Sequence, residues 1–195
     1  MEKQKLYSYK MMHDNRFAPN PLFGVLTLAT CKPRMRQNMR VGEWVAGWTS
    51  KSIAHSPTEV GKEKLIYLAK VTKKLTIAEY WEQYPQKRPV YTDDKNVPER
   101  YGDNIYKPLD DETFEQVPNL FHGPDKMAKD LSGKWVLVCE EFYYFSCLSP
   151  LEIPEELRPN VPKVQSAYGE ITEDATAFID YVKQHAGECK YTDAQ

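Results

Sequence analysis

Apolar and polar positions alternate in short runs along this chain, and the period of each run predicts its element. Lys5–Lys10 (KLYSYK) is β-prone and precedes a loop, so it reads as a first strand. In the next segment, Asp14–Pro21 (DNRFAPNP), Pro19 and Pro21 push Ala18 and Asn20 toward extended backbone, while Asp14, Asn15 and Asn20 offer side-chain turn bonds. A structured excursion is expected there. Val25–Cys31 is consistent with either a strand or a short buried helix, because periodicity does not separate the two. From Val41, VGEWVAGWTS predicts a turn at Gly42 and then a strand, with Gly47 marking a bulge or a close backbone approach.

A further strand is predicted at Leu65–Val71, leading into TIAEYWEQY. There Thr76 and Glu79 form a capping-box signature, and Ile77, Tyr80, Trp81 and Tyr84 recur at helical spacing, as a core-facing stripe does. Pro85–Leu131 is dense in prolines and turn formers and is expected to be irregular, with Gly102–Tyr106 (GDNIY) a turn feeding a short strand. Trp135–Ser146 is the most apolar strand run, and a bulge or bend explains the adjacent acids Glu140 and Glu141 inside it. A last helix is predicted over about 173–186, with Thr172 as N-cap, Phe178, Ile179 and Val182 on one face and Gly187 at its end. Strand signals dominate without regular strand–helix alternation. The expected fold is therefore α+β, a strongly bent sheet or small β-barrel with flanking helices, in a single domain over 1–195.

Composition narrows the class. With 195 residues, 41% apolar and 28% charged, the chain is neither disordered nor collagen-like. It lacks the roughly 18 consecutive apolar residues of a membrane span, and MEKQKLYSYK lacks the apolar run of a secretory signal, so the cytoplasm is the expected compartment. Cys31, Cys139, Cys147 and Cys189 form no C-x-x-C pair, and the four histidines are scattered singly. Reduced, mostly buried thiols are expected, with no metal and no cofactor. The net charge of −2 conceals an asymmetry: residues 1–90 hold 16 basic and 7 acidic residues, and residues 91–195 hold 10 and 21. The first half is thus the anion-attracting one, unless the fold intermixes the two.

Four groups offer chemistry. In CKPRMRQNMR, Lys32, Arg34, Arg36 and Arg40 crowd into nine positions, and with Thr30 they suit a phosphate or, equally, a solvated basic turn. Asn15, Phe17 and Asn20 can pair with a base edge or stack on its face, or else serve the turn and the core. Trp48, Thr49 and Ser50 bring an aromatic and two hydroxyls together at a strand end. Gly102, Asp103, Asn104 and Tyr106, with Lys87 and Arg88 upstream and His122 downstream, form the fourth group, in which Asp103 or His122 is the candidate acid–base residue. No G-x-S-x-G, Walker loop, G-x-G-x-x-G or H-E-x-x-H is present, which removes the familiar hydrolase, dehydrogenase and zinc-protease mechanisms.

The ordered set DNRFAPNP, TLATCKPRMR, VGEWVAGWTSK, LIYLAKVTKKLTIAEYW, KRP, YGDNIY and WVLVCEEFYYFS resembles the second nucleotide modification associated domain of bacteria and phages, over about residues 7–157. Glu43 and Trp48 depart from that pattern, standing where an aspartate and a smaller residue are usual. At fold level the strand order is also similar to the barrel of the PUA-like superfamily. The resemblance implies a protein linked to nucleic-acid base modification that binds a nucleotide, or a modified base in nucleic acid, in the cytoplasm of the bacterial host if phage-encoded. On that reading Asn15, Phe17 and Asn20 read the base and Thr30, Lys32, Arg34 and Arg36 hold phosphate. Trp48, Thr49 and Ser50, with Arg88, Asp103, Asn104 and Tyr106, close the site. The alternatives are an enzyme acting on a nucleotide or DNA base, with Asp103 or His122 as acid–base group and Cys31 as nucleophile, and a phage sponge sequestering a nucleotide signal. Self-association is left open.

Overall fold

Two sheets share one pair of strands that passes from the first into the second. In the computed structural model, which describes residues 3–53, 55–110, 112–164 and 169–186, the strands are β1 (Leu6–Lys10), β2 (Leu26–Leu28), β3 (Trp44–Trp48), β4 (Leu65–Lys70), β5 (Lys73–Thr76), β6 (Tyr106–Pro108), β7 (Phe114–Gln116), β8 (Trp135–Cys139), β9 (Glu141–Tyr144) and β10 (Glu170–Thr172). The larger sheet has the order β10-β1-β3-β4-β9, the smaller β2-β8-β5, and β6 pairs with β7 as a separate ribbon. Only β1 and β3 run parallel among these pairs.

Only Val71 and Thr72 separate β4 from β5, and only Glu140 separates β8 from β9, yet β4 pairs with β9 and β5 with β8. One long ribbon therefore runs through both sheets and turns at these residues. Thr72 clamps the corner: its N–H donates to the Val138 carbonyl and its Oγ1 accepts from the Glu140 N–H at 3.1 Å. Glu140 is exposed there and reaches Lys73 at 2.7 Å, which accounts for an acid inside the most apolar run. The fold is mixed α+β, and the described residues form no closed barrel.

The helices are α1 (Pro33–Asn38), α2 (Ile77–Gln83), α3 (Pro124–Leu131) and α4 (Thr176–His185). Alternation along the strands sorts side chains into three apolar clusters. Phe178, Ile179 and Val182 of α4 cover one face of the larger sheet at Leu6, Trp44, Ala46, Trp48 and Leu68. The opposite face, with Tyr7, Tyr9, Val45 and Tyr67, packs on Leu26, Leu28, Leu137 and Cys139 of the smaller sheet and on Met35 and Met39. The far face of the smaller sheet, at Val136 and Val138, carries Ile77 and Tyr80 of α2 together with Phe17, Ile105 and Tyr106. Trp44 and Trp48, four residues apart on β3, thus share a face.

Several elements depart from the sequence expectation. Val25–Cys31 resolves as strand β2 and a tight turn. The basic run contains a short helix, α1, whose last carbonyls are held by Lys74 Nζ at 2.6 Å from Gln37 O and 2.8 Å from Met39 O. α3 and β7 lie within the stretch expected to be irregular. Thr172 is not an N-cap: it ends β10, opposite Leu6, and α4 begins at Thr176. The expected closing Gly187 lies outside the described residues, as does Cys189. Of the other thiols, Cys139 is buried, but Cys31 and Cys147 are only half-buried. No described helix is long and apolar enough to cross a membrane.

Gly47 is both a register irregularity and a close approach. A Cβ there would lie 2.2 Å from Tyr67 Cε1 and 2.6 Å from Met11 Sδ. Gly47→Ala should lower unfolding free energy by about 1–3 kcal/mol, the usual cost of overpacking, measured as a shift in denaturant midpoint. An unchanged midpoint would show that the ring of Tyr67 yields freely.

Candidate functional site

Between β2 and α1 the backbone turns through two consecutive left-handed residues, Cys31 (φ 57°) and Lys32 (φ 39°). Side chains carry such a conformation only where the surroundings over-determine it. Here Asp130 Oδ1 accepts from the Cys31 N–H at 2.9 Å, and Arg36 Nε donates to the Cys31 carbonyl at 2.9 Å. The same guanidinium reaches Trp135 O and Asp130 O, each at 2.5 Å.

His122 approaches this turn from the other side. Its backbone is fixed by Asn119, whose Oδ1 accepts from the His122 N–H at 2.8 Å and whose Nδ2 donates to the His122 carbonyl at 3.0 Å. His122 Nδ1 lies 2.5 Å from Asp130 Oδ2 and His122 Nε2 lies 3.6 Å from Cys31 Sγ. Asp130, at the end of α3, is 1% exposed and also accepts from Tyr106 Oη at 2.8 Å. The result is a relay of carboxylate, imidazole and thiol, with each ring nitrogen of His122 engaged by a different partner.

The electrostatics follow from that arrangement. Burial alone would lower the His122 pKa, but hydrogen bonds to Asp130 and Cys31 outweigh it and lift the value to about 9. For Asp130 burial acts upward, and the bonds from His122, the Cys31 N–H and Tyr106 leave its carboxyl below the usual range. Lys32 is held below its ordinary value by burial and by the neighbouring Lys129, against the opposing influence of Cys31. Two mutually repelling ammonium groups beside a thiol are an arrangement that an anion relieves.

Cys31, Lys32, Arg34, His122 and Lys129 line one cavity of about 590 Å³, together with Asn15, Phe17 and Phe121 and with Tyr9 and Met11 at the end of β1. Phe17 stacks on Phe121 at 4.8 Å between centroids and meets the His122 ring edge-on at 5.0 Å. Lys32 Nζ lies 4.8 Å from the Tyr9 ring centre. A second cavity of about 540 Å³ abuts the first across Met12, His13 and Asn15.

The residues singled out in the sequence divide sharply. Asn15, Lys32, Arg34 and His122 line the cavity with Cys31, and Phe17 borders it only as a core side chain, 2% exposed beneath Phe121. Arg36 does not: it is fully buried and its fork is taken by three carbonyls, so it braces the turn rather than facing a phosphate. Asn20 is buried, donating to Tyr101 O at 2.7 Å and accepting from Lys87 Nζ at 2.8 Å. Asp103 is sealed in the core, accepting from Tyr80 Oη at 2.6 Å and Thr27 Oγ1 at 2.7 Å, and burial raises its pKa against those bonds. Asn104 binds the carbonyls of Tyr80 and Tyr84. Thr30 is buried off the cavity, and Trp48 packs on Phe178. Thr49 accepts from the Lys64 N–H, Ser50 donates to Met11 O, and Arg88 lies over the Trp81 ring at 4.2 Å. Tyr106 does not line the cavity but reaches the site through its hydrogen bond to Asp130. Asp130, Phe121 and Lys129 were not singled out. Pro124 at N1 with Asp125 in the first turn was the available signal for the helix that carries two of them.

Cys31, His122 and Asp130 present ligand-type atoms within 4.8 Å of one another, a set that could hold a metal. The geometry disfavours a shared ion. A metal takes one imidazole nitrogen, and the thiol and the carboxylate sit at opposite nitrogens of this ring. Fold and site thus define an α+β protein whose half-open cavity combines a cationic wall, an aromatic wall and a thiol–imidazole–carboxylate relay. The model of the family described as nucleotide modification associated domain 2 matches residues 3–194, and the chain belongs to that family. No curated protein and no solved structure matches the chain.

The lifted His122 pKa has a thermodynamic consequence. Folding favours the protonated ring, so this stabilisation is complete below about pH 6.5 and disappears as pH rises through about 9. Chemical denaturation of the wild type between those values should show a loss on the order of 2–3 kcal/mol, and His122→Asn should flatten that slope. Equal slopes in both proteins would show that the Asp130 bond does not hold the proton.

Proposed function

We propose that the cavity beside Cys31 binds a nucleotide or a modified base, and that the protein serves nucleic-acid base modification through it. The observation that carries this reading is what lines one space of about 590 Å³: the half-buried ring of Phe121, backed by the buried Phe17, together with the cationic side chains of Lys32, Arg34 and Lys129. A base has an apolar face that stacks on aromatic rings, and a phosphate seeks a cationic wall. The volume lies within the usual range for small-ligand sites. Family membership supplies the link to nucleotides. The base contacts fall to Asn15 and Phe121, with Phe17 buried behind that ring, and the phosphate contacts to Lys32, Arg34 and Lys129, a smaller and partly different set from the one the sequence offered.

Thermal unfolding with a panel of ribo- and deoxyribonucleoside monophosphates tests this. At about 100 times its Kd a ligand adds about 2.7 kcal/mol of stability, a shift of several degrees. Lys129→Ala should weaken the responding nucleotide about tenfold, the loss of one charged contact, and added salt should weaken it further. A panel that leaves the melting temperature unchanged overturns the proposal.

A further inference from the structure

The relay itself goes beyond ligand binding. We propose that Cys31 is the nucleophile of an acyl transfer, with His122 as its acid–base partner and Asp130 as the positioning residue, acting on a carbonyl group of an anionic substrate. The substrate class rests on the cavity reading above; the chemistry rests on geometry alone. A weak nucleophile becomes effective when a base within hydrogen-bond reach takes its proton and a third group orients the base. Sγ to Nε2 at 3.6 Å and Nδ1 to Oδ2 at 2.5 Å supply both links. The third group is itself held, by the Cys31 N–H and the Tyr106 hydroxyl.

The steps balance without any further oxidant or reductant. With the shared proton on Nε2, Sγ attacks the carbonyl carbon; an S–C bond forms and the carbonyl π pair moves to oxygen, beside the ammonium groups of Lys32 and Lys129 that line the same cavity. Collapse breaks the bond to the leaving group, which departs with the proton from Nε2 and leaves a thioester on Cys31. Water or an amine then attacks that carbon, gives its proton to Nε2, and releases the acyl group. Sγ again shares its proton with His122.

The other described thiols lack these supports. Cys139 is fully buried. Cys147, in the adjoining cavity, is pushed up to about 11 by burial and by Asp14. Cys147 is therefore an internal control for reactivity that comes from loosening of the fold.

The full chain is mixed with p-nitrophenyl acetate, a small active ester that needs no recognition by the cavity, and nitrophenolate release is followed with peptide mass analysis. Expected are a burst of about one equivalent and an acetyl group on the Cys31 peptide in preference to the Cys147 peptide. Both should vanish in Cys31→Ala. His122→Asn should slow acetylation about 100-fold or more. Asp130→Asn should slow it less and move the pH profile of the burst, which a purely structural loss would not do; melting curves of each variant check folding, and His122→Asn alone keeps the test decisive if Asp130→Asn unfolds. Acetylation of Cys31 within threefold of wild type in His122→Asn overturns the proposal, as does labelling of Cys147 before Cys31 or one equivalent of zinc held by Cys31 and His122. The nucleotide reading fails separately. If no nucleotide protects Cys31 from the ester while the His122 dependence stands, the relay survives and the ligand assignment falls.

Discussion

A single buried guanidinium holds the site together. Arg36 takes the carbonyl of Cys31 from the turn, that of Asp130 from the end of α3 and that of Trp135 from the start of β8. These groups come from two distant parts of the chain, the turn at Cys31 and the segment from Asp130 to Trp135, and the relay exists only while they stay in register. Burial pushes the guanidinium down to about 10, with Asp130 foremost among the groups opposing that shift, so the charge is retained at neutral pH. Room for it comes from Gly133, where a Cβ would lie 2.3 Å from Arg36 Nη2. A buried charge is costly unless its hydrogen bonds are met, and here three backbone acceptors meet them. An arginine that looks like a phosphate ligand in the sequence is the internal brace of the turn from which its neighbours, Lys32 and Arg34, line the cavity.

A second polar network lies under the smaller sheet and explains why so many of the readable motifs are absent from the cavity. Lys87 Nζ is fully buried and donates to Asn20 Oδ1, Val25 O and Thr27 Oγ1, and Thr27 in turn donates to Asp103. Gly102 permits this closeness: a Cβ there would lie 2.4 Å from Lys87 O, and the Asn104 N–H donates to that same carbonyl. The proline loop and the Gly-Asp-Asn segment are therefore tied to each other from within. What they deliver to the cavity is the placement of Phe17 and, through Tyr106, a hydroxyl on Asp130.

How far the sequence could be read follows from where each determinant lies. α2 was legible because its capping box is complete within four residues, Thr76 to Glu79. The bend in the long ribbon was legible because two acids cannot continue a buried strand. α1 was not: it has no capping side chain and no acid in its first turn, and what holds its two ends, Arg36 to Cys31 O and Lys74 to Gln37 and Met39 O, includes a partner on a distant strand. For the site, Cys31 and His122 could be picked out by residue type, but they are 91 positions apart and only tertiary structure makes them a pair. Asp103 and Asp130 are alike in the sequence and alike in burial. One meets a tyrosine and a threonine in the core, and the other meets an imidazole at the cavity wall. No local pattern separates those two fates.

The division of charge along the chain takes on a narrower meaning in three dimensions. The basic half supplies Lys32 and Arg34 to the cavity, but Lys129 and the relay's histidine and carboxylate come from the acidic half. The cationic wall is thus assembled across the two halves rather than presented by one of them. It is also concentrated where the only polar relay among the described cysteines stands. A cation beside a thiol favours any step that places negative charge on sulfur or on an atom bonded to it. Cys147 shows the opposite environment a cavity away, with Asp14 as its neighbour. Two half-buried cysteines at adjoining cavities thus meet different partners, an imidazole at Cys31 and a carboxylate beside Cys147, and that contrast is what singles out the turn at Cys31 from exposed thiols in general.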